Sequence, residues 1–390
     1  MMIKKIVYVG SYAKNSFHEM CDVGFLHISS LVAEKVECYK DKTTFPFIYA
    51  KNEKYGFLKN VTLHPIHVIG TETGLKVILS MIHSAMTNLR IYFKANKEDL
   101  VFYCYNTIFF LHLVNLLNKI FKKKVLIITH GEMDMLQTTG GSLITKLDRA
   151  ILKNFFKKNK VSRNLHFLVL GDSLYKNIQS LVSDECFKHI HPIQNTFYMD
   201  GDVPTKEPDH NIFKCGTIGS AAQTKGLMDY FKLLRLLSEK GVKYDASIIG
   251  TVIGQPLFQK YLNDYNVHIK SGLNKREDYE RAISELDFAV FFYPSNTYKL
   301  IASGAVLDAI CMNKPVLCLK NDYLDYAIKE TGHPAMIFDN VEQMALAIQE
   351  KSINQLQNQD FSASKMHFSP TVIYKQFEDL IDTVFCTSKA

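Results

Sequence analysis

Short apolar runs alternate with amphipathic stretches along the chain, and that alternation predicts the architecture. Residues 3–9 form a β-branched run closed by Gly10-Ser11, the pattern of a buried strand entering a turn. Residues 25–36 predict the helix that follows it. Residues 38–60 mix aromatics with turn residues and predict short strands and loop. Beyond them the rhythm is regular, with strands expected at 61–69, 99–104, 124–129 and 165–170. Helices are expected between them at 73–94, 107–121 and 143–156, and residues 192–196 close the set. Strands separated by helices need a parallel sheet with right-handed crossovers.

Residues 200–210 are polar, hold two prolines and have little to bury, so they read as a linker. A second set of βα units follows. Strands are expected at 211–215, 245–249, 267–270, 288–292 and 316–319, and helices at 227–240, 256–266, 277–285, 323–331 and 341–350. A further helix enters at Ser303-Gly304 and ends at Asn313-Lys314. The amphipathic helix expected at 370–385 has apolar residues to pack on a domain. The fold class is therefore α/β, with residues 1–200 and 201–369 as two Rossmann-like doubly wound domains. The tail at 370–390 is expected to pack back on the first domain.

Composition narrows the class. An apolar share of 47% with 22% charged residues excludes bulk disorder. Eight scattered cysteines without a CxxC pair read as buried thiols in a reducing compartment. The opening apolar run is too short for a signal peptide, and no uninterrupted apolar run reaches the roughly 18 residues of a membrane span, so a cytoplasmic protein is expected. Charge is uneven: residues 1–200 carry a net +10 and residues 201–390 a net −3. The first half thus suits an anionic partner.

Lys119, Lys122, Lys123 and Lys124 form one basic cluster. Lys146, Arg149, Lys153, Lys157, Lys158, Lys160 and Arg163 form another, interleaved with Leu152, Phe155 and Phe156. A basic amphipathic helix of this kind either lies on an anionic membrane surface, through Lys153, Lys157, Lys158 and Lys160, or is simply a solvated face. The clusters match no RNA or DNA module, so no nucleic-acid partner is expected.

The candidate chemistry lies at predicted strand ends, where open α/β sheets bind ligands. Ser303-Gly304-Ala305 opens a helix with small residues, which lets an anion approach free backbone N–H groups. Asp308, a turn inside, is the only charged residue between Lys299 and Lys314 and is a candidate acceptor for ligand hydroxyls. His130-Gly131-Glu132 follows the strand at 124–129. No DxD-like pair stands at a strand end, so neither a metal nor a cofactor is expected.

Gly216, Lys225-Gly226, Ile248-Ile249-Gly250, Ser271-Gly272, Asp287, Pro294-Ser295, Ser303-Gly304, Asp308-Ala309 and Lys314-Pro315-Val316 stand in an order that resembles the donor-binding domain of GT-B-fold glycosyltransferases, most like glycosyltransferase family 4. The resemblance spans about residues 212–350. It implies two domains facing across a cleft and a sugar transferred from a nucleotide-diphosphate sugar, without metal and with retention, in assembly of a surface polysaccharide or glycolipid. It gives Lys225 the diphosphate, with Ser303 and Gly304 offering N–H groups to it, and Asp308 the ribose. Gly272 then lines the nucleobase, with Gly219, Gly250 and Tyr298 around the donor. His130 resembles the histidine that meets the donor sugar. Glu132 and Asp134 are either acceptor-side acids or loop solvation.

The sequence also departs from that family. Leu300 stands where a first acidic residue is usual, and Ser220 where an Arg is common five residues before the lysine. Lys299, Tyr298 or Arg276 are the candidates to compensate. The departures keep two alternatives open: a nucleotide-sugar epimerase of the same fold, and a noncatalytic nucleotide-binding or scaffold subunit.

Overall fold

The β-branched and aromatic runs build two separate sheets, each wholly parallel. The computed structural model describes residues 3–12, 14–15, 19–69, 75–198, 211–273 and 275–386. The linker expected at 200–210 lies outside them. Among the described residues one compact unit comprises those within Met1–Tyr198, Leu300–Ala302 and Phe368–Ala390. The other comprises those within Met199–Lys299 and Ser303–His367.

The first unit runs β1 (Ile3–Gly10), α1 (Glu19–Val32), β2 (Ala33–Asp41), α2 (Phe45–Tyr55), β3 (Val61–Ile66), α3 (Leu75–Lys94), β4 (Leu100–Tyr103), α4 (Ile108–Phe121) and β5 (Lys124–Ile128). It continues with α5 (Leu143–Lys158), β6 (Leu165–Leu170), α6 (Asp172–Ile178), α7 (Asp184–Phe187) and β7 (Ile190–Ile193). Its seven strands lie in the order β3-β2-β1-β4-β5-β6-β7. Ile6 of β1 pairs with Val36 on one side and Leu100 on the other, so β1 sits where the winding reverses.

The second unit runs β8 (Phe213–Ile218), α8 (Leu227–Glu239), β9 (Tyr244–Ile249), α9 (Gln255–Asp264), β10 (His268–Lys270), α10 (Arg276–Ser284) and β11 (Phe288–Phe291). Then come α11 (Gly304–Cys311), β12 (Val316–Leu319), α12 (Asp322–Thr331), β13 (Ala335–Phe338), α13 (Val341–Gln349) and the short α14 (Ser362–Met366). Its strand order, β10-β9-β8-β11-β12-β13, repeats that of the first sheet through its sixth strand. Leu233, Leu234, Ile248, Val290, Leu317 and Met344 fill its core. The closing helix α15 (Pro370–Ile381) belongs to the first unit, where Phe377 packs on Phe25 and Phe102 with ring centroids 6.5 and 5.2 Å away.

Several expectations are corrected. The helix expected at 25–36 starts at Glu19 and stops at Val32, because residues 33–41 join β1 as a parallel neighbour. The stretch at 45–55 is a helix, not strand and loop: Pro46 fits its first turn and Gly56 ends it at φ 64°. Strand β7 lies at 190–193 instead of 192–196. Strand β8 reaches Ile218, with Gly216 inside it, where Leu286 and the Ser247 carbonyl leave no room for a side chain. Strand β13, short and half-exposed, has no counterpart in the sequence reading.

Candidate functional site

In the second unit the winding reverses between β8 and β11, and in such a sheet the crevice beyond those two strand ends receives the ligand. Two glycines bring the chain close there. A Cβ on Gly250 would lie 2.2 Å from the Gly219 carbonyl oxygen, and one on Gly226 only 1.9 Å from that of Phe292. The loop after β8 therefore lies flat against the end of β11, which fixes Lys225.

The Lys225 Nζ donates to Ser220 Oγ at 2.7 Å and sits 5.8 Å from the ring centroid of Tyr298. Ser220, found where an Arg was common, thus receives the lysine. Burial lowers the Lys225 pKa, so a bound anion would favour its charged form. Tyr298, in the left-handed region at φ 57°, stacks on Tyr293 at 4.0 Å and 6°. The Tyr293 hydroxyl meets Ser303 Oγ at 3.0 Å, and burial pushes that phenol up to about 12. Buried Asn321 caps α12 and donates from Nδ2 to the carbonyls of Pro294 and Thr297, at 3.0 and 2.9 Å, which holds the turn after β11.

With its hydroxyl turned toward Tyr293, Ser303 makes no side-chain cap on α11. Gly304 is exposed, and a Cβ there would meet nothing within 4 Å. A Cβ on Gly219 would touch that of Ala305 at 3.4 Å, so the loop after β8 reaches the same helix start. Gly219, Gly250, Lys225, Tyr298, Ser303 and Gly304 therefore converge, and one ammonium and one uncapped helix N-terminus form a place for an anion. Gly272, exposed at φ 71°, lies past β10, two strands from β8, and Leu300 is buried.

Asp308 differs from the expectation. It is buried, and its two carboxylate oxygens accept from Arg276 Nη2 at 2.6 Å and from the Tyr279 hydroxyl at 3.3 Å. Arg276 also donates from Nε to Glu280 at 2.7 Å. Burial opposes the guanidinium's charge, but the carboxylates of Asp308 and Glu280 outweigh it and raise its pKa. Arg276 is thus a partner of Asp308, not a second cation held ready for a diphosphate. The aromatic and amide supports Tyr279, Tyr293 and Asn321 were missed; an Asn before a helical run is a cap signal that could have marked Asn321.

In the first unit His130 lies two residues past the end of β5 and its ring lies on Tyr105, with centroids 4.7 Å apart. Its Nε2 is 2.7 Å from the Cys104 carbonyl, which only accepts, so Nε2 carries a proton. Glu132 Oε2 accepts the His130 backbone N–H at 2.8 Å, while its Oε1 is buried without a hydrogen-bond partner among the described residues. Burial pushes the Glu132 carboxyl up to about 7. Asp134 accepts from Gln137 Nε2 at 2.6 Å within the same turn. Among the described residues no three His, Cys, Asp or Glu side chains converge to hold a metal ion.

No protein-family model matches the chain, and no curated protein matches it significantly in sequence. Its fold is matched along nearly its whole length. HepE from Anabaena, solved with UDP-glucose, superposes with a TM-score of 0.64 at 13% identity, covering 97% of this chain and 99% of that one. Sucrose-phosphate synthase from Thermosynechococcus elongatus gives 0.65 at 11%, over 98% and 100%. WaaG, a glycosyltransferase involved in lipopolysaccharide biosynthesis, gives 0.58 at 13%, over 96% and 99%. With two sheets of the same doubly wound order, the chain has the GT-B fold.

Proposed function

We propose that the protein is a glycosyltransferase that draws a sugar from a nucleotide-diphosphate donor bound at the β8/β11 end of the second unit. The convergence of Lys225 with the uncapped start of α11 carries this reading. Cleaving a sugar–diphosphate bond places negative charge on the leaving phosphate. A fixed ammonium and fixed N–H groups stabilise that charge more in the transition state than in the ground state. Gly219 and Gly250 admit the donor, Tyr298 backs the lysine, and Gly272 borders the base. Asp308 meets the ribose through the lone pairs that Arg276 and Tyr279 leave open. His130 and Lys225 are the catalytic candidates, and Glu132 and Asp134 serve the acceptor.

The donor set starts with UDP-sugars, since HepE is solved with UDP-glucose. A surface glycan or glycolipid acceptor follows the family resemblance and the involvement of WaaG in lipopolysaccharide biosynthesis. The enzyme works with retention and without metal, in the cytoplasm at an anionic membrane surface, which it meets through Lys157, Lys158 and Lys160, all exposed, and half-buried Lys153.

The test is donor turnover with and without acceptor, after a thermal-shift screen of UDP-, GDP- and ADP-sugars. A ligand at 100 times its dissociation constant adds about 2.7 kcal/mol of stability. Turnover that requires an acceptor supports the transferase. Donor conversion without acceptor marks an epimerase, and binding without turnover a nucleotide-binding subunit.

A further inference from the structure

Helix α3 turns polar side chains inward over its middle turns and buries Ala85, Ile91 and Tyr92 toward its end. Ser80, Ser84 and Asn88 recur at every fourth position and are all buried, where Ser11 Oγ meets Ser84 Oγ at 2.8 Å and donates to Asn88 Oδ1 at 2.6 Å. Leu79, Ile82, Met86 and Phe93 share the opposite, exposed side. A helix on a water-facing sheet normally shows the reverse. The neighbouring helix α4 continues the feature: Leu113, Leu116 and Ile120 lie at spacings of three and four, and Ile120 is 67% exposed. Phe93 and Phe121, both exposed, meet edge to face at 5.6 Å and join the two helices into one surface. Scattered apolar residues on a surface need no explanation, but a two-helix face does.

Beside Ile120 the surface changes character. A hollow of about 620 Å³ between the end of α4 and the segment before β6 is lined by Lys119, Lys122, Lys160 and Arg163 with no acidic residue. Its walls are tied together. Asn164 donates to the Lys122 carbonyl at 2.9 Å, and Asn115 accepts the Ser162 N–H at 2.8 Å. The end of a helix attracts cations with about half an elementary charge, far short of what four cations supply. Neither α3 nor α4 contains an Asp or Glu, while Lys76, Arg90, Lys94 and Lys119 are exposed on them.

We infer that the α3–α4 face docks on an anionic phospholipid membrane, with the apolar ridge entering the acyl boundary and the α4 hollow receiving a lipid phosphate. This rests on the membrane partner proposed above and moves the centre of its contact from the α5 lysines to the α3–α4 face, with Lys160 common to both. Charge complementarity selects this occupant. A two-fold contact with a second copy would set the same cations against each other, whereas an anionic leaflet accepts both the apolar side chains and the lysines at their rim.

The experiment is flotation of the full chain with vesicles of phosphatidylcholine alone or with roughly one third phosphatidylglycerol. The wild type should bind the anionic vesicles and not the neutral ones. Leu116→Asp/Ile120→Asp and Lys119→Glu/Lys160→Glu should each lose about tenfold or more in partitioning, with unchanged melting and unchanged UDP-sugar binding. Lys157→Glu/Lys158→Glu, outside the hollow, should lose less. Several results overturn the inference: no binding to anionic vesicles, binding kept by both double variants, or loss confined to Lys157→Glu/Lys158→Glu. Two others do so as well: a dimer dissolved by Leu116→Asp/Ile120→Asp, or stabilisation by inorganic phosphate that needs Lys119 and Lys160 while vesicles are ignored. Failure of UDP-sugar binding in every chain would instead sink the transferase reading and leave the docking result standing.

Discussion

Arg276 and Asp308 form a 2.6 Å hydrogen-bonded ion pair that fastens α10 to α11, with the Tyr279 hydroxyl on the carboxylate's other oxygen. Both side chains are largely buried, at 13% and 9% exposure, so neither partner is easily left alone. Removing one partner of such a pair costs about 3–5 kcal/mol, whereas replacing both with apolar groups is close to neutral. Asp308→Ala should therefore lose stability of that order in urea unfolding, and Arg276→Met/Glu280→Gln/Asp308→Leu, which also neutralises the second carboxylate on Arg276, should regain most of it. The stable triple variant then isolates the ligand role. Its affinity for the UDP-sugar should fall by about tenfold, the worth of one hydrogen bond to a charged group. An unchanged affinity would make Asp308 a fastening between helices and nothing more.

Two glycines at the same strand ends should respond oppositely to alanine. At Gly226 a Cβ would meet the Phe292 carbonyl at 1.9 Å with φ at 78°, so Gly226→Ala should destabilise by about 2–4 kcal/mol and displace Lys225. At Gly304 a Cβ meets nothing within 4 Å, and alanine favours the helix, so Gly304→Ala should gain up to about 1 kcal/mol. If a diphosphate approaches the start of α11, the same methyl group should weaken nucleotide binding. Calorimetric affinity beside melting temperature separates the two effects. A Gly304→Ala protein that binds as the wild type does would remove the ligand from that helix start.

The sequence rhythm made the two doubly wound sheets legible because buried parallel strands are short apolar runs and amphipathic helices separate them. It failed where a run does two jobs. Residues 25–36 are continuously helix-like, yet pairing with β1 decides for strand from Ala33 onward. Around the site the glycines and Lys225 stood out through the order of residues that resembles the GT-B donor domain, and the structure brings Gly219, Gly250 and Lys225 together. The Arg276–Asp308 pair did not stand out, since residues 32 apart in sequence meet only through tertiary packing. Helix α3 shows the same limit: its periodicity gave a helix and could not say which face turns inward.

The buried histidines His333 and His166 weaken the fold in acid. His333 is 3% exposed, its Nε2 lies 2.8 Å from the Lys314 carbonyl, and burial pushes its pKa down from 6.5 to about 4. The folded state thus binds this proton less readily than the unfolded chain. The contribution is complete above pH 6.5 and is lost as the pH falls toward 4. At pH 5 the loss from His333 alone is ~2 kcal/mol. His166, pushed to about 3, acts in the same direction. Between pH 7.5 and 5 the stability difference between wild type and His333→Gln should shift toward the variant by that amount; parallel curves would show that His333 is not held neutral.

Glu132 should behave with the opposite sign. Its carboxyl rises from 4.5 to about 7 because burial disfavours the charge more than the His130 N–H stabilises it. The folded state therefore holds this proton more tightly than the unfolded chain does. Its stabilisation is present below pH 4.5 and disappears as the pH climbs through about 7. Above neutrality the protein carries a buried carboxylate with one oxygen unpartnered among the described residues, and Glu132→Gln removes that charge while keeping the shape. The variant should be more stable than the wild type by ~2–3 kcal/mol at pH 8 and not at pH 5. The acceptor-side role proposed for Glu132 makes a second prediction from the same proton. A carboxylate that takes a proton from an acceptor hydroxyl is active only when ionised, so acceptor-dependent turnover should rise with pH through about 7. In Glu132→Gln that inflection should vanish and turnover should fall by about two orders of magnitude, the usual worth of a general base. A more stable variant that keeps both the rate and its pH profile would leave Glu132 as a buried acid with no part in the transfer.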